Sequence, residues 1–234
     1  MNEELDFETY LIISYGRFEI FLLDIKKNKN LYQEKLKFES NLEKIDFNLL
    51  SEFLENNIFK IEKLVGNFVN NIHVIIENKS VLVSNIGIKE KFVSGEITNY
   101  VLERMLIDTK DLFKESYNQY KLMHMIINKY IIDGIIYYSL QNKFVKNEIC
   151  LEIKLISIPN LILFEIEKIL KKYQIQVNNY LDKEYINNFL QDEKLDIPHK
   201  ANRLLNGLNK NEIKITSKPL KKLQFFEKFF QLFS

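Results

Sequence analysis

Hydrophobic residues change their spacing along the first 180 residues of the chain, and this limits the fold to one that mixes strands with helices. β-branched and aromatic residues are concentrated in residues 10–24 and 31–38, which is typical of a strand meander. Asp46 then precedes apolar residues at helical spacing, which predicts an N-capped helix that ends at Gly66. The sequence therefore predicts an α+β fold.

The same alternation continues up to residue 180. Two short strands are predicted at residues 72–77 and 80–85, paired across the Asn78-Lys79 turn, and a long helix follows them. The next predicted elements are, in chain order, strands at residues 122–133, 135–140 and 148–158, a helix beginning at Asn160, and a strand at 173–177. After Tyr180 the chain becomes polar, so residues 182–218 are interpreted as a linker with at most one or two weak helices.

The last residues, 220–233, separate into two faces when they are wound as a helix. One face is apolar and carries Leu223, Phe225, Phe226, Phe229, Phe230, Leu232 and Phe233. The other face is polar and carries Lys221, Gln224, Glu227, Lys228 and Gln231; only Lys222 lies outside this division. A helix of this length reaches about 20 Å, so it cannot cross a hydrocarbon core of about 30 Å, but it can lie in the membrane interface.

Two interpretations of this helix are open: an interfacial membrane anchor and a last helix packed on the domain core. Five phenylalanines, lysines on the polar flank and a preceding polar segment favour the anchor, whose affinity comes from buried apolar area and attraction to anionic lipid. The predicted membrane-binding residues are Lys221, Lys222, Leu223, Phe225, Phe226, Lys228, Phe229, Phe230, Leu232 and Phe233. The expected partner is an anionic membrane surface.

Charge and composition exclude several classes of protein. Lys and Arg number 33 against 32 Asp and Glu, a net charge of +1, so no basic field exists to attract nucleic acid. The acidic start, Met1 to Asp6, lacks the basic and apolar regions of a secretory signal, so we expect a cytoplasmic protein. The single Cys150 lies in an alternating apolar run and is predicted to be a small core side chain.

Motifs that carry catalytic chemistry are missing from the sequence. The six glycines are isolated, so neither a phosphate-binding loop nor a dinucleotide fingerprint is present. His73, His124 and His199 lack a second ligand at a metal-binding spacing and are interpreted as structural. Asp108 and Asp111 could share one helix face, but no third ligand is near. We therefore expect no enzymatic activity, no cofactor and no metal.

Residues 122–134, Leu-Met-His-Met-Ile-Ile-Asn-Lys-Tyr-Ile-Ile-Asp-Gly, resemble a segment of the actin-like bacterial division protein family FtsA. The family segment has the form L-H-V-I-P-Q-x-Y-x-I-D, and Ile127 stands where it has proline. Agreement is found at His124, Ile126, Tyr130, Ile132 and Asp133. The surrounding order is also similar, since the family places an amphipathic helix before this strand and a strand and helix after it.

The resemblance implies a domain at residues 1–181, with a partial first actin-like subdomain at 1–66 and an inserted strand-helix-strand-strand interaction subdomain at 67–181. A polar linker at 182–218 and an amphipathic membrane-targeting helix at 219–234 follow. We therefore expect an α+β fold made of a partial actin-like subdomain with this insertion, then linker and helix.

The chain departs from the family at its phosphate loops. Ser14-Tyr15-Gly16-Arg17 stands where the family has Asp-x-Gly-Thr/Ser, and only the glycine agrees. The second phosphate loop should follow the strand near Val177, where this chain enters its polar segment. The subdomain through which the family grips the tubulin-like polymer FtsZ is also missing. The resemblance therefore implies a shortened relative without the ATP-binding half.

The function implied by the resemblance is that of a non-enzymatic scaffold or adaptor in bacterial cell division. It would be a peripheral membrane protein that tethers other division proteins to the inner face of the cell membrane. Contact with FtsZ and self-association are both left open. We expect no binding of nucleic acid. Two alternatives are an actin-like ATPase completed by a partner chain and a pilus or polar-scaffold adaptor.

Overall fold

The structure is a computed structural model of the 234-residue chain that describes residues 6–39, 44–91, 98–140, 148–192 and 194–214. The chain divides into two compact units. Unit 1 comprises Met1–Val81 and Ile158–Leu208, and unit 2 comprises Leu82–Ser157 and Asn209–Ser234. The second unit is therefore inserted into the first, and the described residues 209–214 also belong to it.

The elements of the described residues are, in chain order, β1 (Phe7–Ser14), β2 (Arg17–Asp24), β3 (Lys29–Lys37), α1 (Phe47–Val65), β4 (Asn71–Ile76), β5 (Leu82–Lys91), α2 (Asn99–Ser116), β6 (Tyr120–Ile132), β7 (Ile135–Tyr137), β8 (Glu148–Pro159), α3 (Asn160–Lys171), β9 (Gln176–Asp182), α4 (Lys183–Phe189) and α5 (Ile197–Leu205).

Unit 1 is built on a five-stranded sheet with the order β3-β2-β1-β4-β9. The first three strands form an antiparallel meander, whereas β1, β4 and β9 run parallel. Both crossover helices pack on one face, since Phe18 contacts Phe53 of α1 and Tyr180 donates a hydrogen bond to α3. The opposite face meets α5, where Asn202 donates to Glu8 at 2.9 Å. The sheet is therefore covered on both sides.

The ends of α1 follow the sequence signals that predict them. Asp46 accepts hydrogen bonds from the backbone amides of Asn48 and Leu49, at 3.1 and 3.0 Å. Gly66 adopts a left-handed conformation with φ of 69°, and its amide donates to the Glu62 carbonyl at 2.8 Å. The predicted helix and both of its caps are confirmed.

Unit 2 contains a four-stranded sheet with the order β5-β8-β6-β7 and one long helix, α2. The inner face of the sheet and α2 enclose a core that includes Met105, Phe113, Ile127, Tyr130 and Ile153. The outer face is polar, with ion pairs between Lys89 and Glu148 at 2.6 Å and between Lys129 and Glu152 at 2.9 Å. Cys150 lies half-buried outside this core cluster, so its predicted core position is wrong.

Residues 209–214, which we name the strap, lie along β6. The amide of Ile127 donates to the Asn211 carbonyl at 2.9 Å, and the amide of Ile213 donates to the Met125 carbonyl at 2.8 Å. Ile126 and Glu212 form an antiparallel bridge between these two bonds. The strap therefore adds a short strand to unit 2.

The predicted pairing of residues 72–77 with 80–85 is wrong. β4 pairs with β1 and β9, whereas β5 pairs with β8. Five of the six residues of β4 are buried, as expected for a parallel strand that is covered on both faces. In sequence, a short apolar run beside a turn looks the same whether it is a hairpin strand or a parallel strand. Only its pairing partners, which are distant in sequence, distinguish the two.

The polar segment carries two helices, as the sequence allowed, but these helices belong to unit 1 and do not form a linker. Within residues 182–208 the structure places α4 and α5, capped by Asp182 and Asp196. Their buried apolar residues are Tyr185, Ile186, Ala201 and Leu204. These are too few to produce a strong helical pattern in sequence, although the two aspartates are ordinary N-cap residues.

Other boundaries also differ from those implied by the resemblance. β4, α3 and all but the last residue of β9 fall within residues 67–181, which were expected to form the inserted subdomain, yet these elements belong to unit 1. The last strand, expected at 173–177, is observed at Gln176–Asp182. The reason is again long-range pairing, because β9 is defined by its register with β4.

Candidate functional site

Three parallel strands of unit 1 end side by side. The carboxyl ends of β1, β4 and β9 carry Ser14, Glu77 and Lys183 respectively. In open sheets with parallel strands, ligands bind in the crevice outside the carboxyl ends of the strands. This edge is therefore the place in unit 1 where a ligand site is expected.

A lysine side chain occupies this edge. Nζ of Lys183 donates to Oε2 of Glu77 at 2.6 Å and to Oγ of Ser14 at 3.3 Å. The Lys183 side chain is only 9% exposed, whereas the Glu77 side chain is 51% exposed. One buried cation thus links the ends of three neighbouring strands, and its carboxylate partner faces the solvent.

Further charges surround this pair. Nη2 of Arg17 lies 4.0 Å from Oε2 of Glu77, and Nζ of Lys35 lies 3.8 Å from Oε2 of Glu19. Nε of Arg17 is 2.9 Å from Oε1 of Glu19 but lacks hydrogen-bond geometry, so this contact is an ion pair only. Positively and negatively charged side chains alternate at this edge, so each charge already has a partner of the opposite sign.

The charges at this edge stabilise the ionised form of Glu77. Burial opposes its negative charge, but hydrogen bonds from Lys183 and Ser14, together with the charges of Lys183 and Arg17, outweigh burial. The pKa of Glu77 is therefore below its ordinary value. The carboxylate is ionised at neutral pH and is not a candidate general acid.

The turn between β1 and β2 forms one wall of the site. Gly16 adopts a φ of 65°, a conformation that suits glycine, and this lets the chain reverse between Ser14 and Arg17. The hydroxyl of Tyr15 accepts a hydrogen bond from the Lys79 amide at 2.8 Å. The turn that the sequence comparison aligned with a phosphate loop is thus bound to the chain that follows β4.

A second polar cluster lies on the face of the five-stranded sheet that α5 covers. His73 stacks on Tyr10 with ring centroids 5.0 Å apart, and Asn179 lies 3.2 Å from its Nδ1. Glu8 approaches Nε2 of His73 at 4.0 Å and accepts hydrogen bonds from Tyr10 and Asn202. Burial lowers the pKa of His73, and the Glu8 charge opposes this shift. The arrangement is that of a buried, hydrogen-bonded histidine.

The other two histidines also have close polar partners. Nδ1 of His124 lies 2.7 Å from Oε1 of Glu212, and Nδ1 of His199 contacts Asp196, the N-cap of α5. In the described part of the chain, no group of three or more His, Cys, Asp or Glu side chains could hold a metal ion. Asp108 and Asp111 are both exposed on α2.

The predicted membrane-binding residues lie outside the described residues. They are Lys221, Lys222, Leu223, Phe225, Phe226, Lys228, Phe229, Phe230, Leu232 and Phe233. Among the described residues, no helix combines the length and the hydrophobicity that spanning a bilayer requires.

Sequence reasoning did not identify Lys183 or Glu77. Lys183 follows an aspartate at the start of a polar stretch, and nothing in its surroundings distinguishes it from the other lysines. Glu77 follows an apolar strand, but a single acidic residue in that position carries no motif. The available signal was the Asp182 cap, since the first residue of a helix that follows a strand lies at the edge of the sheet.

No family model matches the sequence, and comparison with curated proteins gives no match. Among solved structures, a chain of the PilM-PilN type IV pilus biogenesis complex is similar to this chain with a TM-score of 0.52 at 7% identity. The similarity covers 78% of this chain and 49% of the matched chain. The present chain thus spans about half the length of that structure.

Two further solved structures are similar at lower TM-scores. The cytoplasmic domain of EpsL, an inner membrane component of the type II secretion system of Vibrio cholerae, gives 0.36 at 10% identity, covering 77% of this chain and 57% of that one. A protein of unknown function with an actin-like ATPase fold, from Bacteroides thetaiotaomicron, gives 0.34 at 10% identity, covering 78% and 55%.

The chain has a partial actin-like fold. Its five-stranded sheet with the order β3-β2-β1-β4-β9 and its inserted unit containing β5, α2, β6 and β8 agree with the predicted fold class, which is confirmed. The order of the inserted elements is the expected strand-helix-strand-strand, with the short β7 added.

Proposed function

We propose that the chain is a non-enzymatic, actin-like adaptor that holds proteins of a bacterial cell-envelope assembly at the inner face of the membrane, of the kind that serves pilus assembly. The observation that carries the proposal is the position of Lys183. Its amino group lies at the carboxyl ends of β1, β4 and β9 and bonds to Ser14 and Glu77. The chain's own cation thus fills the edge at which a nucleotide-binding relative would hold its ligand.

The charges of the site support an adaptor over an ATPase. A nucleotide site of this fold needs backbone amides and a hydroxyl for phosphate and a carboxylate for Mg²⁺. Here the negative charge of Glu77 is neutralised by Lys183 and Arg17. The residue that follows the β1–β2 turn is Arg17, whose side chain also forms an ion pair with Glu19. No carboxylate of this group is left without a cation.

The proposal is tested by titration of the full chain with Mg-ATP and Mg-ADP in a calorimeter. We expect no saturable heat, and the melting temperature should not move with nucleotide. Saturable binding at micromolar concentration would instead support an actin-like ATPase, completed by a partner chain that supplies the second phosphate loop.

The choice of pilus assembly over cell division is supported by the similarity to a chain of the PilM-PilN complex, at a TM-score of 0.52. Division remains the second candidate because residues 122–134 resemble the division family at His124, Tyr130 and Asp133. A fluorescent fusion in the native cell distinguishes the two. Fluorescence at the poles or along the envelope supports the adaptor of pilus type, and a band at midcell supports a division scaffold.

The same fusion tests the membrane part of the proposal. A variant cut after Lys214 lacks the predicted amphipathic helix but keeps every described residue. We expect envelope fluorescence for the full chain and diffuse fluorescence for the shortened one. Diffuse fluorescence for both would contradict membrane association, whatever the outcome of the nucleotide titration.

A further inference from the structure

The helix of unit 2, α2, has two regular faces. Its inner face packs against the sheet of unit 2 and carries the buried residues Leu102, Met105, Leu106, Thr109 and Phe113. Its outer face carries five exposed residues, which we name the outer seam: Tyr100, Arg104, Ile107, Asp111 and Lys114. These five are spaced alternately four and three residues apart, which is the spacing of a helix face that lies along a second helix.

Two large apolar side chains belong to the outer seam. Tyr100 is 68% exposed and Ile107 is 51% exposed. Exposed apolar side chains are ordinary where they are scattered singly over a surface. Here they lie two helical turns apart on the same line of one helix, with charged residues between and beyond them. The outer seam therefore has the composition of a helix–helix contact surface, in which apolar anchors are flanked by charges.

The charges of the outer seam make it complementary to itself. Arg104 and Asp111 lie at nearly equal distances on either side of Ile107, and they carry opposite charges. If a second α2 ran antiparallel, with a two-fold axis beside Ile107, Arg104 of one copy would lie beside Asp111 of the other. This contact would occur twice, as two-fold symmetry requires. In a parallel pair Arg104 would instead meet Arg104, which is repulsive.

Both charged residues remain accessible although each has a neighbour within its own chain. Arg104 contacts Glu90 of β5, and its side chain is still 46% exposed. Nζ of Lys114 lies 3.8 Å from Oδ1 of Asp111, whose side chain is 59% exposed. A guanidinium has five N–H donors, so Arg104 can bind Glu90 and a second carboxylate at the same time. The contact with Glu90 also reduces the freedom that Arg104 loses on docking.

We propose that the outer seam of α2 is a docking surface for a second copy of this chain, with the two helices antiparallel about a two-fold axis beside Ile107. The proposal goes beyond the adaptor function and depends neither on the membrane nor on nucleotide. The 18 residues of α2 extend about 27 Å, and one helix pair of this length buries less than the roughly 1,200 Å² of a stable interface. We therefore expect a weak dimer, with a dissociation constant on the order of 10–100 μM.

Charge reversal on the outer seam tests the proposal in the full chain. Arg104→Glu and Asp111→Arg each put like charges opposite one another in both symmetric contacts. Sedimentation velocity at concentrations on either side of the expected dissociation constant should show a dimer for the wild-type chain, and each variant alone should dimerise about tenfold more weakly. An equimolar mixture of the two variants should dimerise as the wild-type chain does, because every reversed charge then meets an opposite one.

Matched controls make the same charge changes on another helix. Lys60→Glu and Glu52→Arg alter exposed residues of α1, and both variants should dimerise like the wild-type chain. The mixture of the two α2 variants is a control for folding, since unfolded chains would not regain dimerisation on mixing.

A cysteine placed beside the expected two-fold axis gives an independent measurement. In a Cys150→Ser background, Ile107→Cys should form a disulfide-linked dimer under mild oxidation, because packed helices bring facing Cα atoms within the range that a disulfide spans. Phe59→Cys on α1, which is 71% exposed in the wild-type chain, is the control and should remain a monomer.

Each contrary outcome overturns the proposal. A wild-type chain that stays monomeric throughout the concentration range shows that the outer seam does not bind a second copy. A dimer that survives both charge reversals lies on another surface. A mixture that stays monomeric, or equal cross-linking at positions 107 and 59, contradicts the antiparallel pairing. None of these results bears on the nucleotide titration or on vesicle binding, so the adaptor function stands or fails separately.

Discussion

Nζ of Lys183 lies 2.6 Å from Oε2 of Glu77, and the two side chains differ sharply in burial, at 9% and 51% exposure. The ammonium has lost most of its water and depends on this carboxylate, whereas the carboxylate keeps much of its own hydration. The cost of breaking the pair therefore depends on which partner is removed.

We expect Glu77→Gln to destabilise unit 1 by about 2 kcal/mol, because it leaves the buried Lys183 ammonium without its counter-charge. Lys183→Met should cost less than about 1 kcal/mol, since Glu77 can be hydrated and an apolar side chain suits a buried position. Urea unfolding of the two variants measures the difference. A larger loss for Lys183→Met would show that the carboxylate is the less hydrated partner.

The pH dependence of stability follows from the lowered pKa of Glu77. The folded pKa is below that of the unfolded chain, so ionisation stabilises the fold above the ordinary value of 4.5 and this contribution is lost as pH falls through the folded pKa. We expect the wild-type chain to lose more stability than Glu77→Gln between about pH 6 and pH 3. Equal losses, measured by urea unfolding at both pH values, would contradict the shift.

Local signals in the sequence were sufficient for elements whose hydrophobic pattern and caps agree. α1 between Asp46 and Gly66 is one example, and the hairpin at Asp133-Gly134 is another, because both turn residues adopt positive φ angles there. In these places a short window of sequence contains the whole physical reason for the structure.

The candidate site could not be predicted in the same way. Lys183 meets Ser14 across 169 residues of sequence, and their contact exists only because β1 and β9 flank β4 in one sheet. The strap has the same origin, since Ile213 is its sole apolar residue and its strand-like pairing depends on the edge of β6. The Lys183 site and the strap both depend on pairing between strands that are far apart in sequence. Such pairing produces no hydrophobic period in the local sequence.

Truncation distinguishes the parts of the C-terminal region that belong to the fold. A cut after Lys214 should leave the melting temperature nearly unchanged, because every described residue is retained. A cut after Tyr180 removes α4, α5 and the strap, together with the buried Lys183, Ile186 and Leu204, and should abolish cooperative folding. A soluble, cooperatively melting chain of residues 1–180 would contradict the packing of these helices.

The strap itself is tested by a single substitution. Ile213→Ala removes an aliphatic side chain that packs against the core of unit 2, so we expect a loss of about 1 kcal/mol, below that of a fully buried isoleucine because Ile213 is only half-buried. Lys214→Ala is the control, since Lys214 is exposed. Equal stability of the two variants would mean that the strap contributes nothing to unit 2.

A pair of double variants tests the predicted membrane anchor. Phe226→Glu with Phe230→Glu puts two charges in the centre of the apolar arc, whereas Gln224→Glu with Gln231→Glu puts the same charges on the polar arc. Burying one phenylalanine contributes roughly 1.5–3 kcal/mol, and each lysine near an anionic surface adds about 1 kcal/mol. The first pair should therefore abolish sedimentation with anionic vesicles, and the second should weaken it only modestly.

The melting temperature distinguishes the anchor from a helix packed on the core. If the tail is an anchor, the Phe226→Glu and Phe230→Glu variant melts like the wild-type chain, since no described residue loses a neighbour. If the tail packs on the core, this variant melts several degrees lower than the wild-type chain, and the wild-type chain does not bind vesicles. Added salt should weaken binding by the wild-type chain without eliminating it, because salt screens the lysines but not the burial of the phenylalanines.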